Sequence, residues 1–298
     1  MKQVVGISLG SSQRDHTAVV NIMGHDCRVE RIGTDGDIEK MIAIIKDLDG
    51  KVDAFGLGGI DRYIYAVDRR YEFHDARRIV QAARKTPIVD GSGLKNTLER
   101  RVIEYLEKHT DLFQGSKKVL MICAMDRLGL AEALGKTGCK MTYGDVLFVL
   151  NLPFPLGSLK ALALWARLLM PIISRLPFRL VYPTGERQKG NQPRQVRHFI
   201  ENDIIAGDFH FIRRYAPPSL PGKTIITNTV TPADIEDLRN RRVKTLITTT
   251  PEMGGRSFGT NIMEALMVSL AGRDSELTEE EYNRMLPELN ITPRIIHF

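Results

Sequence analysis

Apolar runs alternate with amphipathic segments along the first part of the chain. The run VVGISL (4–9) predicts a buried strand, and VDAFGLGGI (52–60) and TPIVDGSGLK (86–95) predict strands that end in glycine turns. The segments HTAVVNIM and CRVERIGT predict two further strands. Apolar residues at helical spacing predict helices over residues 37–48, 73–84 and 96–108.

The same alternation is more regular in the second part of the chain. A helix is predicted at 128–138, and another follows Thr231, a good N-cap with Asp234 three residues later. Six short apolar strands are predicted at 118–124, 139–145, 178–183, 203–212, 223–228 and 244–250. Strands that alternate with helices are typical of a parallel sheet covered on both faces.

These patterns predict an α/β protein in which an N-terminal α/β domain precedes a Rossmann-like, doubly wound parallel-sheet domain. The predicted domains are residues 1–114, residues 115–275 and a C-terminal tail, 276–298, that packs back onto the protein. Thr278 and Glu281 form a possible capping box at the start of that tail.

One apolar segment, 146–183, resembles a membrane span but is interrupted by four basic residues and four prolines. A spanning helix needs about 20 nearly uncharged residues, so we expect no membrane crossing and no membrane partner. The segment predicts an apolar helical insertion over 146–177. Buried packing helices, a homodimer face, and a lid or wall for an apolar ligand all stay open as its role.

Composition narrows the classes of function. The 298 residues are 43% hydrophobic and 26% charged, which fits a globular protein rather than a disordered one. The net charge of +6 is mild, and its basic clusters lack interleaved aromatics, so nucleic-acid binding is not expected. Cys27, Cys123 and Cys139 form no CxxC pair, and the N-terminus resembles a strand rather than a signal peptide. We therefore expect a cytoplasmic protein without a metal.

Ligands of doubly wound sheets bind at the carboxyl ends of the strands, so the residues that follow each strand are the candidates. After 118–124, the positions of a dinucleotide fingerprint are occupied by Ala124, Asp126 and Gly129, of which only the last is glycine. Asp126 conflicts with a diphosphate, and Arg127 could offset that charge. Asp145, about 20 residues further on, would hold the ribose of NAD rather than NADP.

The turn TTTPEMGGRSFGTNIMEAL (248–266) combines hydroxyls, glycines and an arginine before a helix. It predicts an anion site or cofactor site built from Thr249, Thr250, Gly254 and Arg256, with Asn228 facing the same crevice. A tight turn with a helix cap is the alternative.

The TTTPEMGGRSFGTN turn and the domain order resemble shikimate and quinate 5-dehydrogenase-like proteins. The resemblance implies an NAD(P)-dependent oxidoreductase acting on a small hydroxylated molecule, with or without a carboxylate. For that reaction the first domain offers Lys95 as a base, Asp90 as a proton relay, and Asp61 and Arg62 as substrate-binding residues. A helix cap with a surface lysine is the alternative for DGSGLK.

Two other functions stay open. Glycine turns after strands, as in GISLGSS, also cradle phosphates, so a phosphate- or ATP-binding enzyme of sugar-kinase-like type is one alternative. A non-catalytic Rossmann-like protein that binds a ligand or assembles with a partner, including a second copy of itself, is the other.

Overall fold

The structure is a computed structural model, and it describes residues 1–66, 69–176, 190–250, 252–253, 256–257, 259–289 and 292–298. The side chains of residues 65, 66, 69, 252, 253, 256 and 257 are outside the description. The strand predicted at 178–183 therefore lies outside the described residues.

Five strands form the sheet of the first part of the chain. Their bounds, with those of a small separate hairpin (β5 and β6), are Lys2–Ser8 (β1), His16–Ile22 (β2), His25–Gly33 (β3), Ala54–Gly58 (β4), Tyr63–Ala66 (β5), Arg69–Glu72 (β6) and Ile88–Val89 (β7). The order is β2-β3-β1-β4-β7, and only the β2–β3 pair is antiparallel. After β1 the chain forms the edge strand β2 and returns as β3, which lies beside β1. It then crosses to the other side of β1 to form β4 and β7.

Six strands form the sheet of the second part. Their bounds, with those of a two-stranded ribbon (β13 and β14), are Lys118–Met121 (β8), Lys140–Tyr143 (β9), Ile204–Ala206 (β10), Thr224–Thr227 (β11), Thr245–Thr248 (β12), Glu252–Met253 (β13), Arg256–Ser257 (β14) and Arg294–His297 (β15). The order is β15-β12-β11-β10-β8-β9, and only β15 is antiparallel to its neighbour. The predicted fold class, α/β with parallel-sheet domains, is confirmed.

The helices between the strands follow the amphipathic segments. Their bounds are Ile38–Leu48 (α1), His74–Val80 (α2), Ser92–His109 (α3), Leu128–Lys136 (α4), Asp145–Phe148 (α5), Leu159–Ile173 (α6), Val196–Glu201 (α7), Phe209–Tyr215 (α8), Pro232–Asn240 (α9), Thr260–Leu270 (α10) and Glu279–Met285 (α11). The capping boxes predicted at Thr231 and Thr278 are both formed, each with the acidic residue three positions later.

The largest apolar core joins the two sheets. It contains residues of β1, β4 and β8 together with the buried faces of α3 and α10. Helix α10 packs directly on the first sheet, where a Cβ on Gly56 would lie 2.7 Å from the backbone oxygen of Asn261. Glycine at this position lets the helix approach the strand closely. The domain limits 1–114, 115–275 and 276–298 stay predictions.

Two local expectations are wrong. The strand predicted at 203–212 ends at Ala206, because Gly207 adopts φ +140° and Asp208 caps helix α8 by accepting from the amide of His210. Helix α3 begins at Ser92 rather than near 96, after Gly91 with φ +90°. Lys95 therefore lies in the first turn of a helix and is buried, not on a surface turn.

The apolar segment forms α5 and α6 in its described part. Helix α6 packs through Leu162, Ala166 and Met170, which are at most 1% exposed. Across the described residues, none of the helices combines the length and the hydropathy that crossing a membrane requires.

Candidate functional site

A cleft of about 400 Å³ lies between the carboxyl ends of the two sheets. The first sheet contributes residues that follow β1, β4 and β7, and the second contributes residues that follow β8, β10 and β11. In both sheets the strand order reverses beside these ends, which is where α/β sheets bind ligands. The predicted site residues that line the cleft are Asp61, Asp90, Lys95, Asp126, Arg127 and Asn228.

Lys95 joins the two halves of the cleft. Its Nζ donates to the carboxylate and to the backbone oxygen of Asp126, at 3.0 Å each, and it lies 3.4 Å from the carboxylate of Asp61. Burial would lower the pKa of Lys95, but Asp126 and Asp61 outweigh burial and raise the pKa above its ordinary value. A lysine held in its charged form does not accept a proton, so the geometry opposes the predicted role of general base.

Asp61 faces the cleft with a side chain that is 21% exposed. Burial raises its pKa to about 8, against the attraction of Lys95 and with the help of the negative charges of Asp126 and Asp90. Near neutral pH this carboxyl group keeps its proton, so it can donate a hydrogen bond as well as accept one.

Arg127 lines the cleft with a side chain that is only 3% exposed. Its guanidinium pairs with Glu99 of α3, which is fully buried, and with Asp208 at 3.2 Å. The Nε atom lies 3.6 Å from Asp126. These pairs connect α3, the turn after β8 and the start of α8. Arg127 does offset the charge of Asp126, but within the protein rather than toward a diphosphate.

Asn228 completes this network at the end of β11. Its amide nitrogen donates to Asp208 at 2.8 Å, and its amide oxygen accepts from the backbone of Phe209 at 3.1 Å. The charged groups of this acidic end of the cleft, Asp61, Lys95, Asp126, Arg127 and Asp208, thus pair mainly with each other. Lys95 and Arg127 are its two cations.

The side chains of Asp90 and Arg62 contact other parts of the protein around the loop after β4. The Asp90 carboxylate accepts from the backbone amides of Arg62 and Tyr63, at 2.6 and 3.2 Å, and from the amide and hydroxyl of Ser92. The Arg62 side chain is paired with Glu72 at 2.9 Å and does not line the cleft.

The residues expected to hold a dinucleotide are occupied by the protein itself. The Asp145 carboxylate accepts from the amides of Ala124 and Met125 at 3.0 and 2.9 Å, and burial raises its pKa to about 6. A Cβ on Gly129 would lie 2.4 Å from the backbone oxygen of Asn96, so this glycine permits close packing of α4 on α3. Neither arrangement fits the expected contacts with ribose and diphosphate, and NAD or NADP binding stays a prediction.

The threonines near residue 250 point into the protein. Thr249 and Thr250 are fully buried and do not line the cleft, and the Thr250 hydroxyl donates to the backbone oxygen of Asn228 at 3.2 Å. Gly254 lies outside the described residues. The backbone of Arg256 belongs to β14, but its side chain is outside the description.

A second part of the cleft wall, the basic end formed by Arg14 and Arg31, was not singled out by the sequence. A Cβ on Gly10 would lie 2.5 Å from one guanidinium nitrogen of Arg14 and 3.1 Å from one of Arg31, so both cations converge on this glycine. Arg31 is paired with Asp15 at 2.7 Å. Its pKa is lowered by burial and by the neighbouring charge of Arg14. In the described part of the chain, no carboxylate pairs with Arg14.

Metal binding has no visible basis in the described residues, where no three His, Cys, Asp or Glu side chains are grouped to hold an ion. All three cysteines are buried and unpaired with each other.

Comparison with known protein families shows which family the chain belongs to. Residues 93–298, more than half of it, match the family model described as "Domain of unknown function (DUF8754)". The chain belongs to the DUF8754 family. Residues 3–90 of this DUF8754 protein match a second model, described as "Domain of unknown function (DUF8753)". A search of curated proteins finds no match.

Among solved structures, similar chains include the substrate-binding protein of a sugar ABC transport system from Bordetella parapertussis, at 12% identity over 100% of this chain and 89% of that one, with a TM-score of 0.39. An ABC transporter solute-binding protein from Burkholderia multivorans gives 12% identity over 99% of both chains and a TM-score of 0.37. The NAD-dependent malic enzyme of Thermotoga maritima gives 12% identity over 97% and 84%, with a TM-score of 0.35.

The resemblance to shikimate and quinate dehydrogenases is therefore wrong. The family that the chain matches is DUF8754. The inference of a quinate-dehydrogenase-type oxidoreductase falls with it. It depended on a short turn, TTTPEMGGRSFGTN, whose buried threonines do not form the expected pocket.

Proposed function

We propose that this DUF8754 protein binds a small hydroxylated anion, such as a sugar acid or a sugar phosphate, in the cleft between its two sheets. The observation that carries the proposal is the pair of guanidinium groups, Arg14 and Arg31, that converge at Gly10 on the cleft wall while Arg14 has no carboxylate partner among the described residues. A guanidinium binds carboxylate and phosphate oxygens in a two-pronged geometry.

The rest of the lining suits hydroxyl groups. Ser8, Gln13 and Asn261 border the cleft, and each can donate and accept hydrogen bonds. Asp61 with its retained proton has the same capacity. Phe211 and two histidines are the cleft's only described aromatic rings, so hydrogen bonding rather than ring stacking would dominate.

The size of the cleft supports a small ligand. Small-molecule sites are typically about 300–1,000 Å³, and this cleft is about 400 Å³. Gly10, Gly58 and Gly59 line it, so backbone rather than bulky side chains borders part of the space. The only lysine that lines the described cleft, Lys95, already contacts the carboxyl groups of Asp126 and Asp61, which favours binding without proton transfer.

A thermal-shift screen tests the proposal. The probes are D-gluconate, D-glucose 6-phosphate and uncharged D-glucose, with ATP–magnesium and NAD as probes of the other functions. A ligand at 100 times its Kd stabilises the folded state by about 2.7 kcal/mol, so one of the two sugar anions should raise Tm by several degrees. Glucose should raise it much less.

Three outcomes would count against a hydroxylated anion. Equal shifts with glucose and the sugar anions would remove the role of charge. Shifts with only ATP–magnesium or only NAD would point to a nucleotide instead. No shift with either sugar anion would exclude the proposed class.

A further inference from the structure

Strand β2 forms one edge of the first sheet, and its strand partner among the described residues is β3. In an antiparallel pair, opposite residues alternate between exchanging both backbone hydrogen bonds and exchanging none. Counted from Ile22 and His25, the bonded pair that closes the two-residue turn, the backbone groups of Thr17, Val19 and Asn21 point away from β3. Within the described residues, these outward groups have no backbone hydrogen-bond partner.

The side chains of the same three residues, Thr17, Val19 and Asn21, are exposed, and Val19 is 64% exposed. Ala18 and Val20, which alternate with them, are partly buried and pack against the largest core. Successive side chains of a strand point to opposite faces of the sheet. Strand β2 is therefore open both along its backbone edge and on one of its faces.

The other edges of the two large sheets are protected in ways that β2 is not. Proteins block open edges with short strands, charges, proline or a covering segment. Strand β7 has two residues, Tyr143 of the edge strand β9 is bridged to Leu156, and the four-residue strand β15 begins at Arg294. Strand β2 has seven residues, His16–Ile22, and contains no Asp, Glu, Lys, Arg or Pro. Such an edge is suited to pairing with another strand.

A second copy of the chain offers a strand that matches this edge. Two β2 strands related by a two-fold axis run antiparallel. With the axis at Val19, each Thr17 lies opposite Asn21 of the other copy, and the two Val19 residues face each other. Each of these pairs can exchange both backbone hydrogen bonds. Every other register brings fewer of the outward-pointing residues together.

The charges beside β2 do not oppose this pairing. On the exposed face, Arg28 of β3 is the residue opposite Val19, and its guanidinium lies 3.7 Å from Glu30 of the same strand. In the paired sheet, the backbones of the two Arg28 residues would be about 14 Å apart, with both β2 strands between them. The pairing therefore brings neutral side chains together and keeps like charges apart.

We propose that this chain forms a two-fold symmetric dimer in which the β2 strands of two copies pair and join the two five-stranded sheets into one continuous sheet. The dimer uses a strand edge and not the apolar segment 146–177. This proposal is independent of the ligand proposed for the cleft.

Analytical ultracentrifugation of the full chain over a range of concentrations tests the dimer. The native chain should approach twice its mass of 33.6 kDa. Val19→Lys and Val19→Glu should each weaken association at least about tenfold, because each places two like charges opposite each other at the axis. An equimolar mixture of these two variants should associate more tightly than either variant alone. The control, Ile200→Lys, changes a similarly exposed apolar residue of α7 and should leave association unchanged.

A disulfide across the axis tests the register of the pairing. Opposite residues that exchange backbone bonds have Cα atoms about 5.5 Å apart, which a disulfide can span. Val19→Cys should therefore form a covalent dimer under mild oxidation. Thr17→Cys is the matched control, since its two copies would lie about 14 Å apart along the strands. The three native cysteines are buried, so the introduced thiol is the accessible one.

Three results would overturn the proposal. The first is the mass of a single chain at every concentration up to about 100 µM. The second is a dimer that neither charged variant weakens, which would assign association to another surface. The third is equal cross-linking of Val19→Cys and Thr17→Cys. Circular dichroism shows whether each variant is folded, and the two cysteine variants test the pairing without adding a charge.

Discussion

Both ends of the cleft contain cations, but these cations differ in whether carboxyl groups pair with them. At the acidic end, Lys95 and Arg127 are buried and each contacts at least two carboxylates. At the basic end, Arg14 is partly exposed beside a second arginine, and no described carboxylate pairs with it.

This difference separates charges that hold the fold from charges available to a ligand. Removing one partner of a buried, paired charge leaves the other unsolvated and is strongly destabilising. An unpaired cation on a cavity wall adds little to folding, and its field is directed at whatever enters the cavity. The comparison therefore assigns the acidic end to structure and the basic end to recognition.

Arg127→Met should produce the largest loss of stability. It leaves Glu99, which is fully buried, without its cation, and we expect the free energy of unfolding to fall by about 3–5 kcal/mol. Urea denaturation measures this change. Arg197→Met is the control, because its pair with Glu201 lies on the surface, and it should leave the midpoint unchanged. Similar urea midpoints for both variants would mean that the buried pair stabilises the fold no more than the surface pair does.

Lys95→Met should have the next largest effect. Asp61 and Asp126 would face each other without a cation, and the expected loss is about 2–4 kcal/mol near neutral pH. The effect is smaller than at Arg127 because Asp61 can keep its proton. The loss should grow from about pH 6 to about pH 9, because the pKa of Asp61 is about 8 and its ionised carboxylate attracts Lys95 more strongly than the protonated group does. A pH-independent loss would contradict the electrostatic account.

Asp61→Asn should change how stability depends on pH. The folded pKa of Asp61 is about 8 and its ordinary value is 3.8, so the folded state binds the proton more tightly. Its contribution is complete below the ordinary pKa and is lost as the pH rises through the folded pKa. As the pH rises from about 4 to about 8, the free energy of unfolding should therefore fall less steeply in Asp61→Asn than in the native chain. The two slopes should differ by at most about 1.4 kcal/mol per pH unit. Denaturation across that pH range measures both slopes, and equal slopes would remove Asp61 from the account.

Arg14→Met should have the smallest effect on stability. With no described ion pair to lose, the free energy of unfolding should change by less than about 0.5 kcal/mol. Arg84→Met, an exposed arginine outside the cleft lining, is the matched control for the loss of one positive charge. A drop above about 2 kcal/mol would mean that Arg14 holds the fold after all.

The sequence predicts the layered architecture well because burial periodicity is local. Apolar runs at 118–124 and 244–250 coincide with strands, and Thr231 and Thr278 start the helices they were expected to cap. The strand predicted at 203–212 failed because a glycine with positive φ and a capping aspartate end it early. Alternating apolar residues such as Phe209, Phe211 and Tyr215 suit a short buried helix as well as a strand.

The site was only half predictable. The rule that ligands bind at strand ends located the cleft and six of its lining residues, Asp61, Asp90, Lys95, Asp126, Arg127 and Asn228. It could not reveal pairing, which depends on contacts between distant positions such as Arg127 with Glu99 and Asp208. Arg14 was missed because its interest lies in having no carboxylate partner among the described residues, and a sequence does not show which charges are paired. The glycine-serine loop GSSQR was the available signal.

Calorimetric titration of two probes against two proteins shows whether Arg14 recognises the charge of a ligand. D-gluconate, or D-glucose 6-phosphate if that is the better binder, is compared with D-glucose for the native chain and for Arg14→Met. We expect the native chain to bind the anion at least about tenfold more tightly than glucose, and Arg14→Met to lose most of this difference. An unchanged ratio of the two affinities in Arg14→Met would mean that Arg14 does not recognise the charge.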